Sequence, residues 1–204
     1  MLYNLFPVKI YKKKFSGNLE KLKNSILPQL EKVFEESKNN NQASMRTGGI
    51  CSFNVFDRLH TQMDLDEITK FAEESATEYW KDLNYVDAKV YANFVWANRY
   101  PPGAYIDNHN HIPAPIVGSF YLKKPTNSGN IVFENPISNI LRYQPYKGLN
   151  DKNDYVSEFD TEVEISEGDL ILFPGWLMHR TPLNVSDDIR IILGYNFSFN
   201  QTEK

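Results

Sequence analysis

The feature that most limits what this chain can become is a series of short strand-like segments in its second half. Val90–Arg99, Pro115–Leu122, Asn130–Glu134, Thr161–Ile165, Asp169–Phe173 and Ile189–Phe199 are each rich in β-branched and aromatic residues, and clusters of Gly, Pro, Asn and Asp separate them. Many short strands at this spacing predict an antiparallel double sheet closed as a barrel or jelly roll.

The first half has a different texture. Leu5 to Phe15 places Val8 and Ile10 at period two and reads as a strand. Asn18 can cap a helix whose apolar stripe is Leu19, Leu22, Ile26, Leu30 and Val33, with Pro28 predicted to kink or split it. Ser37 to Gly49 is polar and reads as a mobile loop. Asp64 can cap a second helix, with Leu65, Ile68, Ala72, Ala76, Tyr79 and Leu83 on one face. The expected architecture is mostly β with flanking helices. One domain spans 1–204, with 1–88 as strand and helical support and 89–200 as the jelly-roll core.

Several function classes are disfavoured. With 22 Lys+Arg against 26 Asp+Glu, the formal net charge is −4, which lacks the basic footprint of a nucleic-acid binder. No stretch approaches the ~18 apolar residues of a membrane span. The lone cysteine, Cys51, excludes an internal disulfide framework and a cysteine-rich zinc site, and suits a reducing cytoplasm. In MLYNLFPVKIYKKKF the lysines follow the apolar stretch and no small-residue cleavage site is present, so it does not read as a signal peptide.

The candidate chemistry lies in the histidines. His109 and His111 form a His-x-His pair in YIDNHNHI; on an extended chain both side chains point to one side, ~6–7 Å apart at Cα. His179 follows in FPGWLMHRTP. A pair plus a distant histidine is how a jelly roll assembles a metal face with open positions. His60 has no partner pattern and reads as packing. Arg190 heads RIILGYNFSF: Arg190, Ile192, Gly194, Asn196 and Ser198 share one face, and Ile191, Leu193, Tyr195, Phe197 and Phe199 form a core face. A guanidinium can fork a carboxylate in two hydrogen bonds. Trp176, shortly before His179, reads as a packing wall.

The ordered words WANRYPPGAYIDNHNH, GSFYL, GNIVFENP, EGDLILFPGWLMHRTPLN and R-x4-YNFSF, with Leu5-Phe6-Pro7 near the start, resemble a small family of 2-oxoglutarate–iron(II) oxygenases from bacteria and their viruses. That resemblance implies a double-stranded β-helix, or cupin-like jelly roll. It implies Fe(II) bound by His109, His111 and His179, with His111 standing where most such oxygenases place an aspartate or glutamate. It further implies 2-oxoglutarate as cosubstrate, its far carboxylate held by Arg190 and Tyr121, with Asn98 and Asn196 lining the pocket. Asp107 or Glu134 could serve as third ligand in place of His111.

The implied reaction is hydroxylation of an unknown substrate by dioxygen, with succinate and carbon dioxide released. Specificity is expected from the loops Ser37–Gly49 and Asn139–Tyr155, and the aromatic loops would permit a homodimer. Two alternatives stand beside it: a cupin metalloenzyme that does not use 2-oxoglutarate, and a non-catalytic jelly-roll protein, structural or binding, of viral type.

Overall fold

The computed structural model describes residues 7–39, 47–138 and 160–201. Ten strands form two antiparallel sheets. The larger sheet has the order β1-β8-β5-β10-β3-β2 and the smaller β4-β9-β6-β7. The strands are β1 (Tyr11–Lys14), β2 (Ile50–Cys51), β3 (Ala88–Tyr100), β4 (Ile106–His109), β5 (Ile116–Lys123), β6 (Ile131–Glu134), β7 (Asp160–Val163), β8 (Asp169–Pro174), β9 (His179–Thr181) and β10 (Arg190–Gln201). Two helices, α1 (Leu19–Asn39) and α2 (Asp66–Asp82), accompany them. This is a jelly roll with flanking helices, and all six strands expected in the second half are present. No described helix is long and apolar enough to cross a membrane.

The strands β3, β5, β8 and β10 of the large sheet divide their side chains between two cores. Leu193, Tyr195 and Phe197 of β10, Phe120 and Leu122 of β5 and Leu172 of β8 pack under Ile26, Leu30 and Phe34 of α1 and Ile68, Ala72 and Tyr79 of α2. The opposite face, with Ile192, Val117, Tyr121, Ile171 and Phe173, meets Ile131, Phe133 and Leu177 from the small-sheet side. The pairing of β3 with β10 shifts by one residue between Asn196/Phe94 and Phe197/Ala92. Asn93 is thus the extra residue of a bulge. It lets Val90 and Ala92 face the helices while Trp96, Asn98 and Tyr100 face the barrel.

Several expectations need correction. The first strand is confined to Tyr11–Lys14, where it pairs with Asp169–Leu172; Val8 and Ile10 precede it and are exposed, and residues 1–6 lie outside the described residues. α1 runs unbroken through Pro28. Pro28 and Asn24 are both exposed, so the carbonyl that loses its partner faces water, while buried Ile26 and Leu30 clamp the helix on either side. Asn18 does cap α1, its Oδ1 accepting from the Lys21 N–H at 3.0 Å. Asp64 does not cap α2: Leu65 stands there with no side-chain bond, and Asp66 and Glu67 complement the helix dipole instead. Ser37–Asn39 belong to α1 rather than to a loop, 47–49 form a turn leading into β2, and 40–46 lie outside the described residues. Asn139–Tyr155 lies outside them altogether.

Candidate metal and cosubstrate site

β4 and β9 pair so that His109 and His179 are direct Cα partners. β4 ends at His109. His111 is therefore not on the same strand, as the His-x-His spacing suggested, but opens the following turn. There its N–H donates to the Gly175 carbonyl at 2.7 Å, and its own carbonyl accepts from the Ala114 N–H at 2.8 Å. The three rings still converge. Their centroids are 5.0 Å apart for His109–His111, 4.3 Å for His109–His179 and 5.2 Å for His111–His179. One nitrogen from each lies within 4.8 Å of the others.

Two rings are oriented by backbone. Nδ1 of His109 lies 2.8 Å from the Asp107 carbonyl, and Nδ1 of His179 lies 2.9 Å from the Leu177 carbonyl. A carbonyl can only accept, so each Nδ1 carries the proton and each Nε2 presents its lone pair. Burial, then the neighbouring His109, pushes His179 down to about 3 and His111 down to about 4; burial also lowers His109. All three are thus neutral near pH 7, the form that binds a metal. No carboxylate joins this cluster among the described residues. Asp107 offers His109 its backbone, and the Glu134 carboxylate is taken by Asn108 at 2.6 Å and Ser138 at 3.1 Å.

Arg190 is fully buried, and its Nε and both terminal nitrogens lack any hydrogen-bond partner among the described residues. Its guanidinium carbon sits 4.7 Å from the Tyr100 ring centroid, across the β3–β10 pairing. The Tyr121 hydroxyl, beside Arg190, is also buried with no hydrogen-bond partner among the described residues. Gly129 adopts φ +85°, and a Cβ there would come within 3.1 Å of an Arg190 terminal nitrogen, so glycine both permits the turn and leaves the guanidinium its room. A buried cation whose donors meet no hydrogen-bond partner among the described residues, beside the Tyr121 hydroxyl, suits a carboxylate.

A cavity of about 290 Å³ opens on the histidines and is lined among others by Asn98, Ser119, Thr181, Ile192, Gly194 and Tyr100, the ring against which Arg190 lies; Arg190 and Tyr121 stand behind that lining. Trp96 stacks on His111 with ring centroids 5.5 Å apart and planes 26° apart. Gly194 makes this possible, because a Cβ there would sit 2.4 Å from the Trp96 ring. Asn98 lines the cavity, whereas Asn196 lies against His111. His60 stands apart in a 3-10 turn, Leu59–Thr61. Trp176 is not a packing wall: it is 45 % exposed, on the loop that precedes β9. The sequence reading missed Cys51, at the end of β2, and Phe53 and Asn54, in the turn after it, which line the cavity. A two-residue strand gives no periodic signal by which to find them.

A jelly roll that gathers three neutral imidazoles beside a buried, unpaired arginine defines a non-haem, 2-oxoglutarate-dependent oxygenase. The family comparison agrees: residues 94–197 match the model of the family described as "Putative 2OG-Fe(II) oxygenase", and the chain belongs to that family. No curated protein matches the chain. Among solved structures, a prolyl-4-hydroxylase from Pseudomonas putida aligns with a TM-score of 0.60 at 14 % identity, over 96 % of this chain and 94 % of its own. HygX from Streptomyces hygroscopicus, solved with nickel and 2-oxoglutarate bound, gives 0.59 at 11 % identity over 93 % and 82 %. The carbocyclase SnoK from nogalamycin biosynthesis gives 0.59 at 12 % identity over 93 % and 79 %. At these identities the structures speak for the fold alone. The cofactor is iron(II), with 2-oxoglutarate and dioxygen as cosubstrates.

Proposed function

We propose that the chain is a single catalytic domain that hydroxylates an organic substrate, with 1–88 supporting the jelly-roll core of 89–200. His109, His111 and His179 hold the iron, and Arg190 with Tyr121 takes the far carboxylate of 2-oxoglutarate. The observation that carries this reading is the buried guanidinium with three unpartnered nitrogens. An uncompensated buried charge typically costs about 3–5 kcal/mol, so a fold that keeps one has a use for an anion there.

When bound, iron with 2-oxoglutarate and dioxygen supplies the oxidising chemistry, and the cosubstrate leaves as succinate and carbon dioxide. The chain's own residues prepare the site. The Asp107 and Leu177 carbonyls fix which imidazole nitrogen binds. Arg190 sets the orientation of the cosubstrate by a two-point grip. Ile192, Ile131 and Val117 line the cavity and keep water from its walls. The single cysteine fits residence in a reducing cytoplasm.

The test is an anaerobic titration of metal-free protein with iron(II) and then 2-oxoglutarate, following the visible charge-transfer band of the chelate. A band that disappears in His179→Ala and needs far more 2-oxoglutarate in Arg190→Ala is the expected result. Iron binding without a band would favour the cupin alternative. Neither iron binding nor a band would return the fold to a binding role.

A further inference from the structure

The cavity has two unlike ends, and strand register fixes their order. Along β3 the barrel-side residues run Tyr100, Asn98, Trp96 and, past these, Phe94, opposite Arg190, Ile192, Gly194 and Asn196 of β10. Each step of two residues advances ~6.6 Å. Tyr100 lines one end and Arg190 lies against its ring, which places the anion seat behind that end. His111 stacks on Trp96, which places the imidazoles further along. Past them stands Phe53, edge-on to Trp96 at 5.2 Å and 81° and tilted against Phe94 at 5.8 Å. The far end is therefore aromatic.

Phe53 belongs to neither hydrophobic core and is 37 % exposed, yet its backbone is firmly held. The preceding Ser52 is fully buried. Its N–H donates to the Ala97 carbonyl at 2.9 Å, and its hydroxyl accepts from the Ala97 N–H at 3.0 Å. Its carbonyl accepts from the N–H groups of Val55 and Phe56 at 2.9 and 2.7 Å. One serine thus pins the turn to β3 and leaves Cys51, Phe53 and Asn54 facing the cavity. Among the described residues the lining contains no Asp, Glu, Lys or Arg; its polar groups besides the histidines include the amides of Asn54 and Asn98 and the hydroxyls of Ser119 and Thr181.

We propose that Phe53, with Trp96 and Asn54, selects the substrate, and that the group admitted at this end is an uncharged planar ring carrying hydrogen-bonding atoms. The inference rests on the oxygenase reading above, in that 2-oxoglutarate occupies the Arg190 end. An edge-to-face corner of two aromatic rings offers a flat partner both a face and an edge. A charged group would lose its hydration there and meet no counter-charge. A purely aliphatic group would leave the two amides without partners.

The test uses the protein loaded with manganese(II) and 2-oxoglutarate, a redox-inactive stand-in for the iron form. Uracil, benzoate and butyramide serve as probes for neutral ring, charged ring and neutral chain. The readout is paramagnetic broadening of probe protons, which reports binding near the metal without turnover. Uracil is expected to broaden and the other two are not. Phe53→Ala should weaken uracil at least tenfold and Phe53→Tyr should restore it. Should Phe53→Ala fail to fold, Asn54→Leu takes its place, with the same loss expected. Benzoate or butyramide broadening as strongly as uracil, no broadening by uracil, or an unchanged Phe53→Ala or Asn54→Leu response would each overturn the proposal. The two readings separate cleanly. Loss of the iron–2-oxoglutarate band in wild-type protein sinks the oxygenase site, whereas an intact band with no uracil response sinks only the ring pocket.

Discussion

The two faces of the large sheet are built from alternate residues of the same strands, yet they follow opposite rules. Toward the helices, β10 presents Leu193, Tyr195 and Phe197, all fully buried in an apolar core. Toward the barrel it presents Arg190 without a partner, then Ile192, then Gly194 as a bare seat for Trp96. The first face lowers the free energy of the fold through burial of apolar area. The second keeps a desolvated charge with no hydrogen-bond partner among the described residues, which a bound anion would offset. On the proposed reading the less stable face is the functional one, and substitutions on the two faces should separate stability from binding.

The largest separation is expected from Arg190→Met. It removes a carboxylate anchor that should contribute about 3–5 kcal/mol, so 2-oxoglutarate affinity should fall by a factor of at least about one hundred. The melting temperature of the ligand-free protein should hold or rise, because the buried charge is gone. A clear drop in thermal stability would break the comparison.

Leu193→Ala, one strand position from Ile192, should do the reverse. Deleting a fully buried leucine typically costs about 3–5 kcal/mol. Chemical denaturation should reveal that loss, while the folded fraction still forms the iron–2-oxoglutarate band with unchanged affinity.

Gly194→Ala lies on the functional face but acts through packing. Its Cβ would meet the Trp96 ring at 2.4 Å, and forced repacking of this kind typically costs about 1–3 kcal/mol. Trp96 would leave His111, so metal affinity should decline together with stability. Calorimetric metal titration showing wild-type affinity would show that the stacking is incidental.

A smaller effect is expected from pH. The ordinary histidine value is 6.5, while burial holds His111 near 4 and His179 near 3. Between those values the unfolded chain binds more protons than the folded one. Stability of the metal-free protein is therefore fully present above pH 6.5 and is lost as pH falls toward 4. Melting curves from pH 7 to pH 5 should slope downward, and less steeply in His179→Gln. At the bottom of the scale, Arg180→Ala removes an exposed pair with Asp160 at 2.8 Å on the outer face of β9. It should cost under about 1 kcal/mol, read as a small shift in denaturation midpoint.

Legibility followed the same division. The alternation of RIILGYNFSF placed Ile191, Leu193, Tyr195 and Phe197 in the helix-side core, because burial on one side of a strand leaves a period of two. Phe199 departs from it: it is 42 % exposed, near the end of β10 and against Trp80 at the end of α2. The helical stripes of α1 and α2 were legible for the same reason. Pro28 misled because propensity does not record that the disturbed carbonyl faces water. Asp64 misled because buried Leu65 set where the helix begins. β2, β4 and β9 are too short to carry a period, and with them went the Cys51–Asn54 wall and the true setting of His111.

By itself, then, the sequence determined the class of fold, and its ordered motifs carried the resemblance to the oxygenase family and singled out His109, His111, His179 and Arg190 as candidates. The fold class follows from order and local period. The tertiary structure alone decided that His179 lies opposite His109, that no described carboxylate enters the cluster, that Arg190 has no hydrogen-bond partner among the described residues, and that Phe53 lines the cavity beside Trp96. Each depends on register between strands distant in the chain. A register is set by the packing of both sheets at once, and no single segment encodes it.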